Sequence, residues 1–365
     1  MSEMTTKPTK EESAMIGETA GQSGKAILRT LQGFLPFVAV IVLFIVFSIV
    51  AKNFFTLRSV LSLALQTSTI TLMGIGVTFA IITGGIDLSI GSVVALTGTV
   101  AVMVALAGVP IWLSMVVGLL VGGFCGFLNG LMITRLKLPP FIATLGMMMV
   151  ARGVALTITN ASAMPAPDSF GDLGNGAILG TGAKFPGIPY PVILMIVVAL
   201  IFHFILSKTR IGRYTYAVGS NEEAARLSGI KVAQVKLVSY IICGTLAGLV
   251  GIILASRMVT SQPNSAVGYE LNAIASSVIG GTSLMGGVGT VGGTVIGSFI
   301  IGILTVGLTM AGANYFMQQI VIGLVIIGAV TIDNLKGKGL KYIRKRPIDS
   351  CVYLHILVQK LKPSS

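Results

Sequence analysis

Ten apolar stretches separated by polar breaks leave this chain few folds to choose from. They run over 33–51, 59–83, 89–108, 110–134, 139–159, 190–207, 237–256, 271–284, 290–311 and 314–332. A helix rises about 1.5 Å per residue, so about 20 apolar residues cross a hydrocarbon layer of roughly 30 Å. All of the stretches except 271–284 reach that range. Hydrophobic residues make up 54% of the chain and charged residues only 10%, against about a quarter charged in soluble domains. Backbone groups in lipid must pair within the protein, which leaves helices or closed barrels. No ten-residue alternation of the barrel kind is present, so the expected fold is an all-α integral membrane protein of about ten transmembrane helices.

The 46 glycines are spread through the apolar stretches rather than gathered in loops, the pattern expected where helix backbones approach closely. The chain divides into two halves around 160–189, where Pro165, Pro167, Pro186 and Pro189 forbid a long helix. In the first half ITGGIDLSIGSVVALTGT (82–99) interrupts an apolar stretch, and in the second VIGGTSLMGGVGTVGGTVIG (278–297) does the same. Paired glycine-broken helices in corresponding places point to pseudo-repeated halves and a transport site. Tight turns between successive spans would read the same way, and the symmetry of the repeat stays open.

Charge sets the orientation. Of the 25 Lys and Arg, 18 lie in four places, 7–29, 135–137, 208–236 and 336–346. Alternate loops hold only Lys52, Arg58, Lys184 and Arg257. The positive-inside rule then puts both termini and 208–236 in the cytoplasm, which an even number of crossings satisfies. A multi-pass membrane protein is expected, with a cytoplasmic tail at 1–32, a membrane domain at 33–333 and a basic cytoplasmic tail at 334–365. The net charge of +13 is an orientation signal, and no nucleic-acid partner is expected.

Residue chemistry argues against an enzyme. Cys125, Cys243 and Cys351 with His203 and His355 show no metal-ligand spacing, so neither a metal nor a cofactor nor a structural disulfide is expected. Gly21-Gln-Ser-Gly-Lys25-Ala26 fails the phosphate-binding pattern in spacing and in lacking Ser or Thr after the lysine. Any ATP used is hydrolysed by another chain.

The most polar segment between two spans is 208–236, KTRIGRYTYAVGSNEEAARLSGIKVAQVK. Asn221 or Ser220 can cap a short helix starting near Glu222, where Glu222 and Glu223 suit the positive end and Gly229 ends it. Such a helix, offering Ala224, Ala225 and Leu227 to a partner's groove, would transmit force as a rigid body. A solvated loop is the plainer reading.

Polar residues at membrane depth are candidates for a solute path. Asp87 beside Gly84-Gly85 and Arg152 inside an apolar stretch either line an aqueous cavity or serve structure, Asp87 as a helix cap and Arg152 by pairing or snorkelling. Gln66, Thr67, Asn129, Asn272 and Ser276 are neutral, as suits weak binding of a hydroxylated solute, but each also fits an interhelical hydrogen bond. On the outer side, Pro165–Pro189 and Thr260–Glu270, with Asp168, Asp172, Lys184 and Glu270, read as a docking surface for a solute-binding protein, and a lid or a plain connector would look the same.

Several motifs in order are specific. TRIGRYTYAVGSNEEAARLSGIKVAQVK, YELNAIASSVIGGTSLMGGVGTVGGTVIG, QQIVIGLVIIGAV, GGIDLSIGSVVALTG and LPPFIATLGMMMVARGVAL together resemble the permease subunit of monosaccharide ABC importers of the ribose type, within the bacterial branched-chain-amino-acid/ribose permease superfamily. The likeness covers roughly 33–333. It implies a subunit of a bacterial inner (plasma) membrane, with a second permease copy, a cytoplasmic ATPase with two nucleotide-binding domains, a periplasmic sugar-binding protein and a small sugar as substrate. It also implies that Glu222, Glu223, Ala224, Arg226 and Gly229, on the helix capped at Asn221, contact the ATPase. An ion-coupled secondary carrier acting alone is the alternative, and Asp87 is its one plausible coupling carboxylate. The tail 347–365 carries no recognised motif.

Overall fold

The computed structural model describes residues 36–180, 186–328, 330 and 331. The tails at 1–32 and 334–365 and Lys184 lie outside the described residues. All ten apolar stretches contain a helix. In chain order the helices are α1 (Pro36–Val50), α2 (Leu57–Ile82), α3 (Ile90–Leu106), α4 (Ile111–Thr134), α5 (Pro140–Thr159), a four-residue α6 (Asp172–Asn175) and α7 (Tyr190–Lys208). Then follow α8 (Arg210–Ser220), α9 (Glu222–Leu227), α10 (Val232–Met258), α11 (Tyr269–Ile279), α12 (Val291–Met310) and α13 (Tyr315–Gly328). Among the described residues, six helices are long and apolar enough to cross a membrane, namely α2, α4, α5, α7, α10 and α12, while α1, α3 and α13 are shorter apolar helices.

The bundle is built around α2 and α10. Helix α2 is apolar on every side and is buried without interruption from Thr67 to Ile82, as a central helix must be. It packs against α7, α10, α11 and α12, and α10 packs against α3 and α4. Small residues allow the closest approach. A Cβ on Gly122 of α4 would strike the Gly244 carbonyl and Gly248 of α10, and one on Gly126 would strike the Tyr240 carbonyl. Hydroxyls tie α2 to its neighbours across the core: Thr78 Oγ1 lies 2.6 Å from Thr294 Oγ1 of α12, and Ser277 Oγ of α11 donates to the Gly74 carbonyl at 3.0 Å. On the periphery α1 and α13 keep large apolar side chains exposed, among them Ile49, Phe316 and Leu324, the surface expected against lipid or another chain.

Two short ladders order the end of the bundle where α5 finishes and α7 starts. Met164–Pro165 (β1) pairs antiparallel with Thr260–Ser261 (β4), and Ala177–Ile178 (β2) pairs with Ile188–Pro189 (β3). Ser256 secures this end by donating to the Phe170 carbonyl at 2.5 Å and accepting from Gly174 N at 2.7 Å. Among the described residues, the proline-rich stretch at 160–189 holds no long helix, as its sequence predicts.

Both glycine-rich segments turn out to be connections between consecutive helices rather than kinks inside one. Residues 83–89 join α2 to α3, and 280–290 join α11 to α12. Each leaves a short helix beside it, 17 residues for α3 and 11 for α11.

Candidate functional site

The segment 208–236 is more ordered than a capped loop. Thr209 breaks the path between α7 and α8 with an extended backbone, and α8 then lays Gly212, Thr215 and Val218 inward while Arg210 and Arg213 stay exposed. Asn221 serves both neighbours. It ends α8, and its Oδ1 accepts from Ala224 N at 3.0 Å to cap α9. Glu222 and Glu223 occupy the first turn of α9, where the helix dipole favours acids. Past its end Gly229 takes φ +81° and Ile230 N returns to the Ala225 carbonyl at 3.1 Å, the left-handed stop that glycine permits without strain.

Helix α9 shows a charged outer face and a small apolar foot. Ala225 is buried against Val218 and Val232, so it is not offered to a partner as its sequence position suggested; the foot holds α9 to its own chain. Ala224 is exposed and Leu227 is 83% exposed. Lys236 Nζ lies 2.7 Å from Glu222 Oε2, and Arg226 reaches Glu222 at 3.5 Å and Glu223 at 3.4 Å. A groove of about 660 Å³ lies on one side, between α9 and the α4–α5 connection, with Lys137, Pro139, Arg226 and Lys231 in its lining. A second, of about 330 Å³, is lined by Ile211, Tyr214, Ile230 and Val238 of α8, the α9–α10 connection and α10.

The α2–α3 connection encloses a polar cluster. Asp87 is fully buried, and its Oδ1 accepts from Ser89 N at 2.9 Å and Ser89 Oγ at 2.6 Å. Asn129 of α4 donates from Nδ2 to Ser89 Oγ at 2.9 Å. The other Asp87 oxygen makes no hydrogen bond of normal geometry, with the Cys243 thiol and the Asn129 amide beside the carboxyl. The Tyr240 hydroxyl abuts Gly85. Asp87 thus bonds Ser89, the residue just ahead of α3, while α3 itself carries no side-chain capping bond.

The remaining pathway candidates do not converge with Asp87 and Asn129. Thr67 is buried against Gly302 of α12, Ser276 donates to the Ala273 carbonyl at 2.8 Å, and Gln66 is exposed on α2. Arg152 is half-buried, and its Nη1 donates to the Pro263 and Ser265 carbonyls at 2.6 and 2.8 Å. It pins the 259–268 connection. Glu270 lies near enough for its charge to act on Arg152, and its carboxylate sits where a Cβ on Gly91 would fall, at the first turn of α3. Asn272 is half-buried one turn or less along α11.

Sequence reading missed Ser89, Tyr240 and Cys243 around Asp87, and the contacts of Tyr216 and Gly219 described below. Ser89 was visible two residues past the acid. The others come from α8 and α10, and no spacing brings them to residues 83–89. Cys125 and Cys243 are free and buried, while Cys351 and His355 lie outside the described residues.

Comparison with known proteins adds the following. Residues 59–330 match the family described as branched-chain amino acid transport system / permease component. The ribose import permease protein of Escherichia coli strain K12 is 42% identical over 304 residues, covering 82% of this chain and 92% of that protein. The D-allose transport system permease protein of the same strain is 40% identical over 303 residues, 83% of this chain and 91% of that one. Its L-arabinose transport system permease protein is 35% identical over 303 residues, covering 83% and 90%. No solved structure matches.

Proposed function

Because the chain belongs to the branched-chain amino acid transport system / permease component family, we propose that it is the permease subunit of an ATP-driven monosaccharide importer. The observation that carries this reading beyond the family is α9, a capped, charged helix seated on its own chain by Ala225 and lining a groove of about 660 Å³. A separate cytoplasmic ATPase with two nucleotide-binding domains would grip it through Glu222, Glu223, Ala224 and Arg226, held in place by the Asn221 cap and the Gly229 stop. Two copies of the chain would present two such helices. The membrane domain at 33–333 would cross ten times, leaving both tails and α8–α9 in the cytoplasm, in keeping with where the basic residues cluster.

At the opposite end, the 160–189 stretch and the 259–268 connection, joined by the β1–β4 ladder, would receive a periplasmic sugar-binding protein. The half-buried polar groups Arg152, Glu270 and Asn272 at the base of that connection are the side chains best placed to meet an incoming sugar, with Gln66 exposed on α2. Thr67, Asp87, Asn129 and Ser276 are fully buried and would shape the pathway from behind. Relatives named for ribose, allose and arabinose support a monosaccharide as the solute.

Reversing the charges of α9, Glu223→Lys together with Arg226→Glu, tests the coupling role. These side chains are more than half exposed, and exposed pairs contribute at most about 1 kcal/mol, so folding should survive. Uptake should fall to background while the binding protein still takes up sugar normally; uptake at the wild-type rate contradicts the proposal. A carrier acting alone on an ion gradient is the second reading, favoured by the buried Asp87 carboxyl. Uptake that needs ATP and ignores a protonophore over short times separates the two.

A further inference from the structure

Helix α8 touches both glycine-rich connections at one point. The last carbonyl of α2, at Ile82, has no partner within its own helix, as helix ends dictate. Its bond comes from Gly287 N of the α11–α12 connection, at 2.9 Å. Gly219 of α8 lies against that bond, since a Cβ there would overlap both the Ile82 oxygen and the Gly287 nitrogen. Gly287, at φ +74°, has no room either, because its Cβ would meet Ser220. Three residues earlier in α8, Tyr216 donates its hydroxyl to the Gly289 carbonyl at 2.6 Å. Burial raises the pKa of that phenol above its ordinary value, which keeps the donating proton in place.

We infer that Tyr216, Gly219 and Gly287 form a junction through which movement of α9 shifts the α2–α3 and α11–α12 connections together. Asn221 is the only residue between α8 and α9, and Val218 packs on Ala225, so a displacement of α9 acts directly on α8. A displaced α9 must either carry Gly219 against the Ile82–Gly287 bond or break it. The bond ties the end of α2, where the 83–89 connection starts, to the α11–α12 connection, so a shift of one is passed to the other. The 83–89 segment holds Asp87 and leads into α3, and the first turn of α3 meets Glu270. The path thus runs from the α9 surface to the polar groups at the other end of α11. Tyr216, Gly219 and Gly287 act as positioning residues, touching neither nucleotide nor sugar.

The inference rests on the coupling role proposed for α9, and one set of measurements separates the two. Wild type, Gly219→Ala and Tyr216→Phe are each reconstituted with the ATPase and the binding protein, and three quantities are read: ATPase bound per permease, ATP hydrolysed and sugar imported. Overpacking at Gly219 should leave assembly and hydrolysis in place and lower sugar imported per ATP by about tenfold or more. Removing the Tyr216 hydroxyl should lower it by about two- to fivefold. Wild-type ratios in both variants overturn the junction. A wild-type protein that binds no ATPase overturns the coupling role instead. If Gly219→Ala does not accumulate as a folded protein, Tyr216→Phe decides alone, a lowered ratio supporting the junction and an unchanged one overturning it.

Discussion

A single hydroxyl, Ser89 Oγ, joins Asp87 to Asn129 across the α2–α3 connection, donating to the carboxylate at 2.6 Å and accepting from the amide at 2.9 Å. All three side chains are buried, so no water replaces a lost partner. Ser89→Ala should destabilise the protein by about 1–3 kcal/mol, the usual cost of leaving buried polar groups unpaired. A lowered thermal midpoint of the purified protein in detergent checks this, and an unchanged midpoint would show that the chain of bonds is dispensable. The sequence left Asp87 between two roles because the Asn129 amide of its cluster reaches Ser89 from 40 residues away. Arg152 was ambiguous for the same reason: its acceptors are the carbonyls of Pro263 and Ser265, more than 100 positions distant, and carbonyl acceptors leave no trace in residue identity.

At the scale of elements, periodic apolarity made the helices legible and their interruptions harder to interpret. Each of the ten apolar stretches contains a helix, and the Asn221 cap, the acidic first turn and the Gly229 stop of α9 follow from local backbone chemistry alone. Helix α8 escaped because its segment mixes charge with three short inward positions, Gly212, Thr215 and Val218, too sparse to read as an apolar face. Ala225 was misjudged because only the packed structure brings Val218 and Val232 beneath it. The cap makes a prediction of its own. Asn221→Ala should cost α9 about 1 kcal/mol, visible as faster amide exchange over 222–228 with little change in the exchange of α10, where the residues of the bundle core are buried. Uniformly faster exchange throughout the bundle would mean that α9 is not a separate unit.

For the whole molecule, the proposed role of a gate worked by a separate ATPase rests on the arrangement of parts. Its interior is held by small residues and hydroxyls on α2, α4, α10, α11 and α12, and successive helices meet at glycine-rich connections. The two connections rich in glycine approach each other and Gly219 of α8, and the second bonds the end of α2. Sequence could pair these segments by composition and could not tell that they meet. The most direct test of the account is sugar accumulation in proteoliposomes that carry this chain and a sugar-binding protein, with and without the ATPase and ATP. The account predicts accumulation only when both are present, and accumulation at the full rate with neither would contradict it.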